Sequence, residues 1–341
     1  MMAAIPTIAL DGMGGDYGPE VIVPAAELAL IPDPEVEFII IGDAARINPL
    51  LMRRERVRGC TRVVHTENFV PMNAKPSQAL RMGRRNSSMW LALRAVRDGE
   101  AQAIVSAGNT GALMALARHY LKTVADVKRP ALAALYPTVG KYSVVLDLGA
   151  NVGADAVELA RFAMMGAAMA RALFAIERPR IGLLNTGVET DGGVEEVMRA
   201  HNILRKRTDL GFDYRGFLQG DGISQGLVDV IVTDGVTGNI ALKVAEGTAK
   251  QVTAFMRDSL RSSFSAKLGA AIARDGLNAL RNRMDPRRHN GAIFLGLQGT
   301  VVKSHGGGDA VSFANAIAIA LRAVTADLAK CVSSDLSRLS A

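Results

Sequence analysis

Hydrophobic residues in this chain gather in short unbroken runs bounded by glycine and polar residues, as in Ile8-Ala9-Leu10, Phe38-Ile39-Ile40-Ile41 and Ala103-Ile104-Val105. Runs of that kind fit strands buried on both faces, because a strand with one wet face alternates apolar and polar residues. They predict strands over 7–11, 37–41, 61–65, 103–105, 131–136, 143–148, 180–184, 214–218, 228–232 and 292–297. Longer stretches between them carry apolar residues at helical spacing and predict helices over 19–30, 88–98, 111–122, 155–177, 195–207, 239–262 and 310–328. Alternation of strand and helix implies an α/β fold with a mostly parallel open sheet and helices on both faces. The expected organisation is one α/β unit over 1–341, with two lobes woven through each other.

Glycines and small polar residues cluster just after the predicted strands. The clusters are Asp11-Gly12-Met13-Gly14-Gly15-Asp16, Ser106-Ala107-Gly108-Asn109-Thr110-Gly111, Asp147-Leu148-Gly149-Ala150-Asn151, Asn185-Thr186-Gly187, Asp234-Gly235-Val236-Thr237-Gly238-Asn239 and Lys303-Ser304-His305-Gly306-Gly307-Gly308. Ligands of open α/β sheets lie beyond the carboxyl ends of the strands, so the six clusters are expected to form one site. Ser106–Gly111 is the most informative, because two glycines let the backbone approach a ligand and the first amides of the next helix lack internal partners. Such a loop can cradle phosphate, with a tight turn ending in an N-cap as the alternative.

Composition narrows the chemistry. With two cysteines, Cys60 and Cys331, there is no disulfide framework or zinc spacing, which fits a cytoplasmic protein. Five histidines lack ligand spacing, so no metal is expected, and no long apolar segment suited to crossing a membrane is seen. Neither a Walker A loop nor a Gly-x-Gly-x-x-Gly turn opens a helix, which argues against ATP and nicotinamide cofactors. There is no Gly-x-Ser-x-Gly elbow either. A site that holds an anion without a protein nucleophile suits a bound phosphate that is itself the nucleophile. Lys303 could pair with it and His305 could donate a hydrogen bond or manage a proton; a solvent-facing turn is the alternative. Asn239 could donate to a developing oxyanion or merely cap a helix starting there. Asp11 and Asp16 could contact substrate or order their loop.

The net charge of +7 is concentrated: residues 250–290 carry nine Lys or Arg against three Asp. In the same segment Met256, Leu260, Phe264, Leu268 and Ile272 recur every fourth residue, a basic amphipathic helical pattern. It fits an acidic partner, an anionic membrane or nucleic acid by charge, and a core or dimer contact by its apolar stripe.

Taken together, these segments resemble the bacterial phosphate acyltransferases of phospholipid synthesis, which transfer an acyl group from acyl carrier protein to phosphate. The match runs in order from Ala9–Asp16 through Lys75-Pro76-Ser77, Ser106–Gly111, Arg129-Pro130-Ala131, Leu146–Asn151, Gly182–Gly187, Gly220-Asp221-Gly222, Thr233–Asn239, Ala241-Leu242-Lys243 and Glu246-Gly247 to Lys303–Gly306. The resemblance implies a long-chain acyl donor on acyl carrier protein, inorganic phosphate as acceptor, and acyl phosphate handed to a membrane glycerol-3-phosphate acyltransferase. It also implies a homodimer, no cofactor, no nucleic acid, and a fold related to phosphotransacetylases and isocitrate/isopropylmalate dehydrogenases. On that basis Asn239, Lys303 and His305 are expected to act on the reacting groups. Asp11, Gly14, Gly15, Asp16, Ser106, Gly108, Asn109, Thr110, Gly111, Asn185, Asp234, Gly238, Lys243, Ser304 and Gly306 are expected to bind substrate or phosphate. The basic segment becomes a docking surface for the carrier protein and for peripheral contact with anionic lipid. One departure stands out: where the family runs into a Lys-Gly pair, this chain has Gly192, and its task would pass to Lys243 or Lys303. A phosphotransacetylase-like enzyme using short acyl-coenzyme A, a dehydrogenase, and a non-catalytic scaffold that binds acyl carrier protein are the alternatives.

Overall fold

The computed structural model describes residues 5–74, 78, 80–81, 86–124, 127–187, 193–207 and 209–340. Gly192 and Lys75-Pro76-Ser77 lie outside them. Eleven strands form one continuous sheet: β1 (Thr7–Asp11), β2 (Glu37–Gly42), β3 (Thr61–His65), β4 (Ala103–Ser106), β5 (Ala131–Pro137), β6 (Tyr142–Leu146), β7 (Arg180–Leu184), β8 (Asp213–Leu218), β9 (Val230–Val232), β10 (Ala292–Leu295) and β11 (Thr300–Lys303). Their spatial order is β3-β2-β1-β4-β11-β10-β5-β6-β9-β7-β8.

Among the described residues the named helices are α1 (Pro19–Ala29), α2 (Ala44–Met52), α3 (Glu55–Gly59), α4 (Ser88–Arg97), α5 (Thr110–Tyr120), α6 (Ala156–Phe174), α7 (Glu195–Leu204), α8 (Gly235–Arg261), α9 (Phe264–Ile272), α10 (Arg274–Met284), α11 (Ala310–Thr325) and α12 (Leu328–Ser340). Short 3-10 turns cover Gly220–Gln225 and Pro286–His289. Successive strand residues point into two different cores. Ile8 and Leu10 join Ile22, Ala163, Phe313 and Leu336 of α1, α6, α11 and α12, whereas Ala9 and Ile104 join Leu93 and Leu116 of α4 and α5. The period of two thus distributes one unbroken apolar run between helical layers on both faces. No single helix among the described residues is long and apolar enough to cross a membrane.

The direction of the strands corrects one expectation. β3, β2, β1, β4 and β11 are mutually parallel, as are β6, β9, β7 and β8. Between these blocks, three antiparallel pairings join β11 to β10, β10 to β5 and β5 to β6. Three reversals leave the two parallel blocks running in opposite senses. The loops after β1, β4 and β11 therefore lie at one edge of the sheet and those after β6, β7 and β9 at the other, not in a single row.

Strand β11, absent from the expected set, sits fully buried in the sheet centre, its short Thr-Val-Val-Lys sequence inserted between β4 and β10. Strand β6 ends before Asp147, two residues earlier than the apolar pattern predicts, because the Asp147 carboxylate captures the Ala150 and Asn151 amides and turns the chain.

Candidate functional site

The first cluster follows from strand register. Leu10 pairs with Val105, Val302 with Val105, and Lys303 with Ser106, so Asp11, Ser106 and Lys303 stand in a row at the ends of three adjacent parallel strands. All three are buried. The Ser106 hydroxyl donates to Asp11 Oδ2 at 2.6 Å and accepts from the Gly108 amide at 3.0 Å. Among the described residues, Asp11 Oδ1 has no hydrogen-bond partner. Burial pushes the Asp11 carboxyl up from its ordinary value, against the hydrogen bond from Ser106 and the charge of Lys303. The Lys303 ammonium donates to the carbonyls of Ser304 and, at 3.3 Å, Ala107. Burial lowers its pKa to about 8, although Asp11 and Asp16 pull the other way.

Three loops lock together around this row. The Asp16 amide donates to the Gly306 carbonyl at 3.0 Å and the Ser304 amide to the Ser106 carbonyl at 2.9 Å. Gly15 needs its glycine: φ is +85°, and a Cβ would come within 2.8 Å of the Gly306 carbonyl oxygen. Gly14 lies buried beside Asp11, and Asp16 is exposed at the rim. Asn109 caps α5 by accepting from Ala112 at 2.9 Å and donates to the Met72 and Ala74 carbonyls. Its side chain is thereby committed to structure. Ahead of the capped Ala112 amide, Thr110 and Gly111 sit in the first turn of α5, where N–H groups lack intrahelical acceptors and the helix dipole is positive. His305 accepts the Gly307 amide at Nδ1 (3.2 Å), which leaves the neutral ring's proton on Nε2. Burial and the charge of Lys243 lower its pKa, with Glu246 opposing.

The second cluster lies at the other edge. Asp147 accepts four hydrogen bonds: Leu132 N (2.9 Å) and Ala150 N (3.0 Å) on Oδ1, and Asn151 N (2.8 Å) and Nδ2 (2.7 Å) on Oδ2. Burial pushes its carboxyl up, and those N–H donors oppose the shift. The start of α8 rests on this turn. At Gly238 any Cβ would overlap the Asp147 carbonyl oxygen, so only glycine admits the approach. The next residue, Asn239, then reaches Gly149, whose Cβ would lie 3.5–3.8 Å from its side-chain atoms.

Two residues of this cluster take defined places at the start of α8. Asp234, expected to contact substrate, is the N-cap of α8, accepting from Val236 N (2.9 Å), Thr237 N (3.0 Å) and Thr237 Oγ1 (2.5 Å). With the cap five residues earlier than Asn239, Asn239 lies inside the helix and is not its cap. Asn185 follows β7, packed against Gly193, at the edge opposite Lys303.

What joins the clusters is α8 itself, 27 residues long and thus about 40 Å. Asn239, Lys243, Glu246 and Lys250 are spaced 4, 3 and 4 residues apart and share one face. The charge of Lys243 acts on both Lys303 and His305, and those of Glu246 and Lys250 act on His305. Lys243 and Glu246 pair at 2.8 Å. Glu246 and Lys250 were not among the expected site residues, yet their spacing from Asn239 carries the signal.

Beyond Gly238, α8, α9 and α10 contain no fully buried residue. The predicted apolar stripe is broken after Arg261, where Ser263 caps α9 by accepting from Ala266. Met256 and Leu260 stay half-buried on α8, whereas Phe264 and Ile272 of α9 are more than four-fifths exposed. These helices form an arm with a basic and apolar surface.

Comparison with known proteins agrees with this architecture. The profile of the family described as "Fatty acid synthesis protein" matches residues 6–331. The phosphate acyltransferase of Parvibaculum lavamentivorans is 53% identical over 334 residues, covering 98% of this chain and 92% of the relative. That of Afipia carboxidovorans is 51% identical over 337 residues, covering 99% and 96%. Among solved structures, a phosphotransacetylase from Streptococcus pyogenes has the same fold, with a TM-score of 0.61, 19% identity and 94% of each chain covered. The EutD phosphotransacetylase from Staphylococcus aureus gives 0.60, 16% identity, 96% of this chain and 94% of its own. An α/β sheet of the phosphotransacetylase kind and half-identity along almost the whole length lead to one conclusion: the chain belongs to the Fatty acid synthesis protein family and, within it, to the phosphate acyltransferases.

Proposed function

We propose that this acyltransferase moves a long-chain acyl group from acyl carrier protein to inorganic phosphate, with the phosphate held between the first turn of α5 and the Lys303–Gly306 loop. The observation that carries this reading is the buried Asp11–Ser106–Lys303 row beside a helix N-terminus. It offers a cation and free amides but no activated nucleophile: the Ser106 hydroxyl is buried and donates to Asp11. Phosphate oxygen attacks the thioester carbonyl, a C–O bond forms, and the C–S bond breaks. The electron pair leaves on sulfur, and the proton released by hydrogen phosphate ends on the thiol. Asn239 donates to the oxyanion of the tetrahedral intermediate, where a placed donor stabilises charge only as it develops. Lys243, whose charge acts on the neighbourhood of Lys303, takes over any task of the family lysine replaced by Gly192.

The exposed arm supports the partner assignments. Nine basic residues over 250–290 complement an acidic carrier protein and an anionic lipid surface. The apolar face of α8, with Ile240, Val244 and Phe255 exposed, suits a second copy of the chain in a homodimer. A cytoplasmic enzyme of this kind would pass acyl phosphate to a membrane glycerol-3-phosphate acyltransferase.

The deciding experiment is thiol release from palmitoyl-acyl carrier protein by the purified protein, with and without phosphate, trapping acyl phosphate with hydroxylamine. Phosphate-dependent release with trapped product is the expected result. Turnover of short acyl-coenzyme A but not of the carrier-bound donor would reassign the substrate. Carrier binding without turnover would make the protein a scaffold.

A further inference from the structure

Asn290, the last residue of the basic segment and just ahead of β10, is not among the expected site residues, yet its side chain is the hub of the Lys303–Gly306 loop. Its Oδ1 accepts the His305 backbone amide at 3.1 Å. Its Nδ2 donates to the Ser304 hydroxyl and to the Ser312 carbonyl, both at 2.8 Å. The amide orientation is fixed by chemistry: a backbone N–H requires the oxygen, and a backbone carbonyl requires the NH2 group. Ser304 is 1% exposed and Ser312 4%, so the two donor bonds of Asn290 are partly shielded from water, whereas its bond from His305 lies at the surface.

The hub is itself anchored. Arg287 bridges Asp285 at 2.7 Å and Asp309, the N-cap of α11, at 2.9 Å. Asn315 of α11 donates to the Arg287 carbonyl at 3.1 Å. The segment leaving the arm is thereby fastened to the first turns of α11 immediately before Asn290.

We infer that Asn290 is a positioning residue for the anion site, acting through Ser304 and His305. By filling a lone pair of the Ser304 hydroxyl, Asn290 Nδ2 leaves that hydroxyl its own proton to donate to an anion. By holding the His305 amide, Oδ1 fixes the backbone from which the imidazole projects, and the Gly307 amide on Nδ1 then fixes the ring with its Nε2 proton available. One carboxamide thus sets two donors at once, and neither Asp nor Ala at 290 can do the same. Asp retains an acceptor for His305 but loses both donor bonds and adds negative charge beside the anion.

This inference rests on placing phosphate at the Lys303–Gly306 loop, so its test reads phosphate binding separately from turnover. Inorganic phosphate would be titrated by calorimetry into the wild-type protein, Asn290→Ala, Asn290→Asp, Ser304→Ala and the Asn290→Ala/Ser304→Ala double variant, each checked by circular dichroism. Loss of a hydrogen bond to an ion corresponds to about 10-fold weaker binding for Asn290→Ala, and the added charge makes Asn290→Asp weaker still. Because Asn290 works partly through Ser304, the double variant should bind much less weakly than the product of the single effects predicts. A general loss of fold would not produce that coupling. Phosphate affinity unchanged in folded Asn290→Ala, single effects that simply multiply, or a wild-type protein that binds no phosphate would overturn the inference. Wild-type protein that binds phosphate without transferring acyl groups would instead remove the proposed reaction and leave the role of Asn290 standing.

Discussion

Replacing Asp147 by Asn tests whether its turn is built around a carboxylate. The side chain is fully buried and receives four N–H donors, two on each oxygen. Asparagine keeps the shape but presents one oxygen and one NH2 group, so in either orientation two of the four donors face another donor. Each buried donor left unmatched costs about 1–3 kcal/mol, offset in part because no charge is now buried, which places the loss near 3 kcal/mol. For a chain of this length that is a fall in Tm of about 4 °C. The loosened turn also carries Gly149 and the seat of Gly238, so Asn239 shifts and kcat falls while phosphate affinity at the opposite edge holds. Calorimetric melting, trapped acyl phosphate and a phosphate titration measure the three quantities on one preparation. A Tm within about 1 °C of wild type would refute the account of the turn, since even one unmatched donor exceeds that.

Other perturbations address separate parts. Gly238→Ala forces its Cβ onto the Asp147 carbonyl oxygen, so kcat should drop about 100-fold for a displacement near 1 Å, with phosphate affinity unchanged in calorimetry. Lys303, with its pKa lowered to about 8, loses its charge above that pH; kcat/KM for phosphate should bend downward there, and in any active Lys303→Arg variant the bend should vanish from the pH profile. Burial alone would raise the pKa of Asp229, but hydrogen bonds from Arg180 and Lys141 hold it at about 2 against an ordinary 3.8. Its folded pKa being the lower one, the stability it contributes, roughly 2 kcal/mol, is complete above pH 4 and lost as the pH falls through 2; Asp229→Asn should lower Tm at pH 7 and much less at pH 2. Reversing Arg257, Arg261 and Lys267 to Glu should weaken carrier-protein binding and flatten its salt dependence, and unchanged affinity at low salt would remove the docking role.

Much of this molecule was legible in its sequence, and the limits have physical causes. Strands with long apolar runs, such as 37–41, were readable because burial on both faces leaves no polar position. Strand β11 escaped because Thr300 and Lys303 at its ends leave only two adjacent apolar residues, Val301 and Val302, to mark it. Strand direction escaped too, since a run reads the same whichever neighbour it pairs with; the opposition of the two parallel blocks appears only in the pairing of β10 and β5. Asp234 and Asn239 show a local ambiguity: either could open the helix, and Asp234 does so because its carboxylate meets two free amides. Asn290 left no trace, because its three partners lie 14 to 22 residues away in the chain.

The opposed strand directions also bear on how such a protein can change over generations. The loops proposed to hold the anion and the turn that seats Asn239 share no strand, and among the described residues α8 runs from one to the other. A substitution behind β6 or β9 can reshape the space offered to an acyl group without moving the hydrogen-bond ladder that ends at Lys303. If phosphate sits at the Lys303 edge as proposed, donor preference and anion capture would be separately adjustable parts of one sheet, so descendants of this fold could exchange the molecule they take apart while keeping the ion they attach.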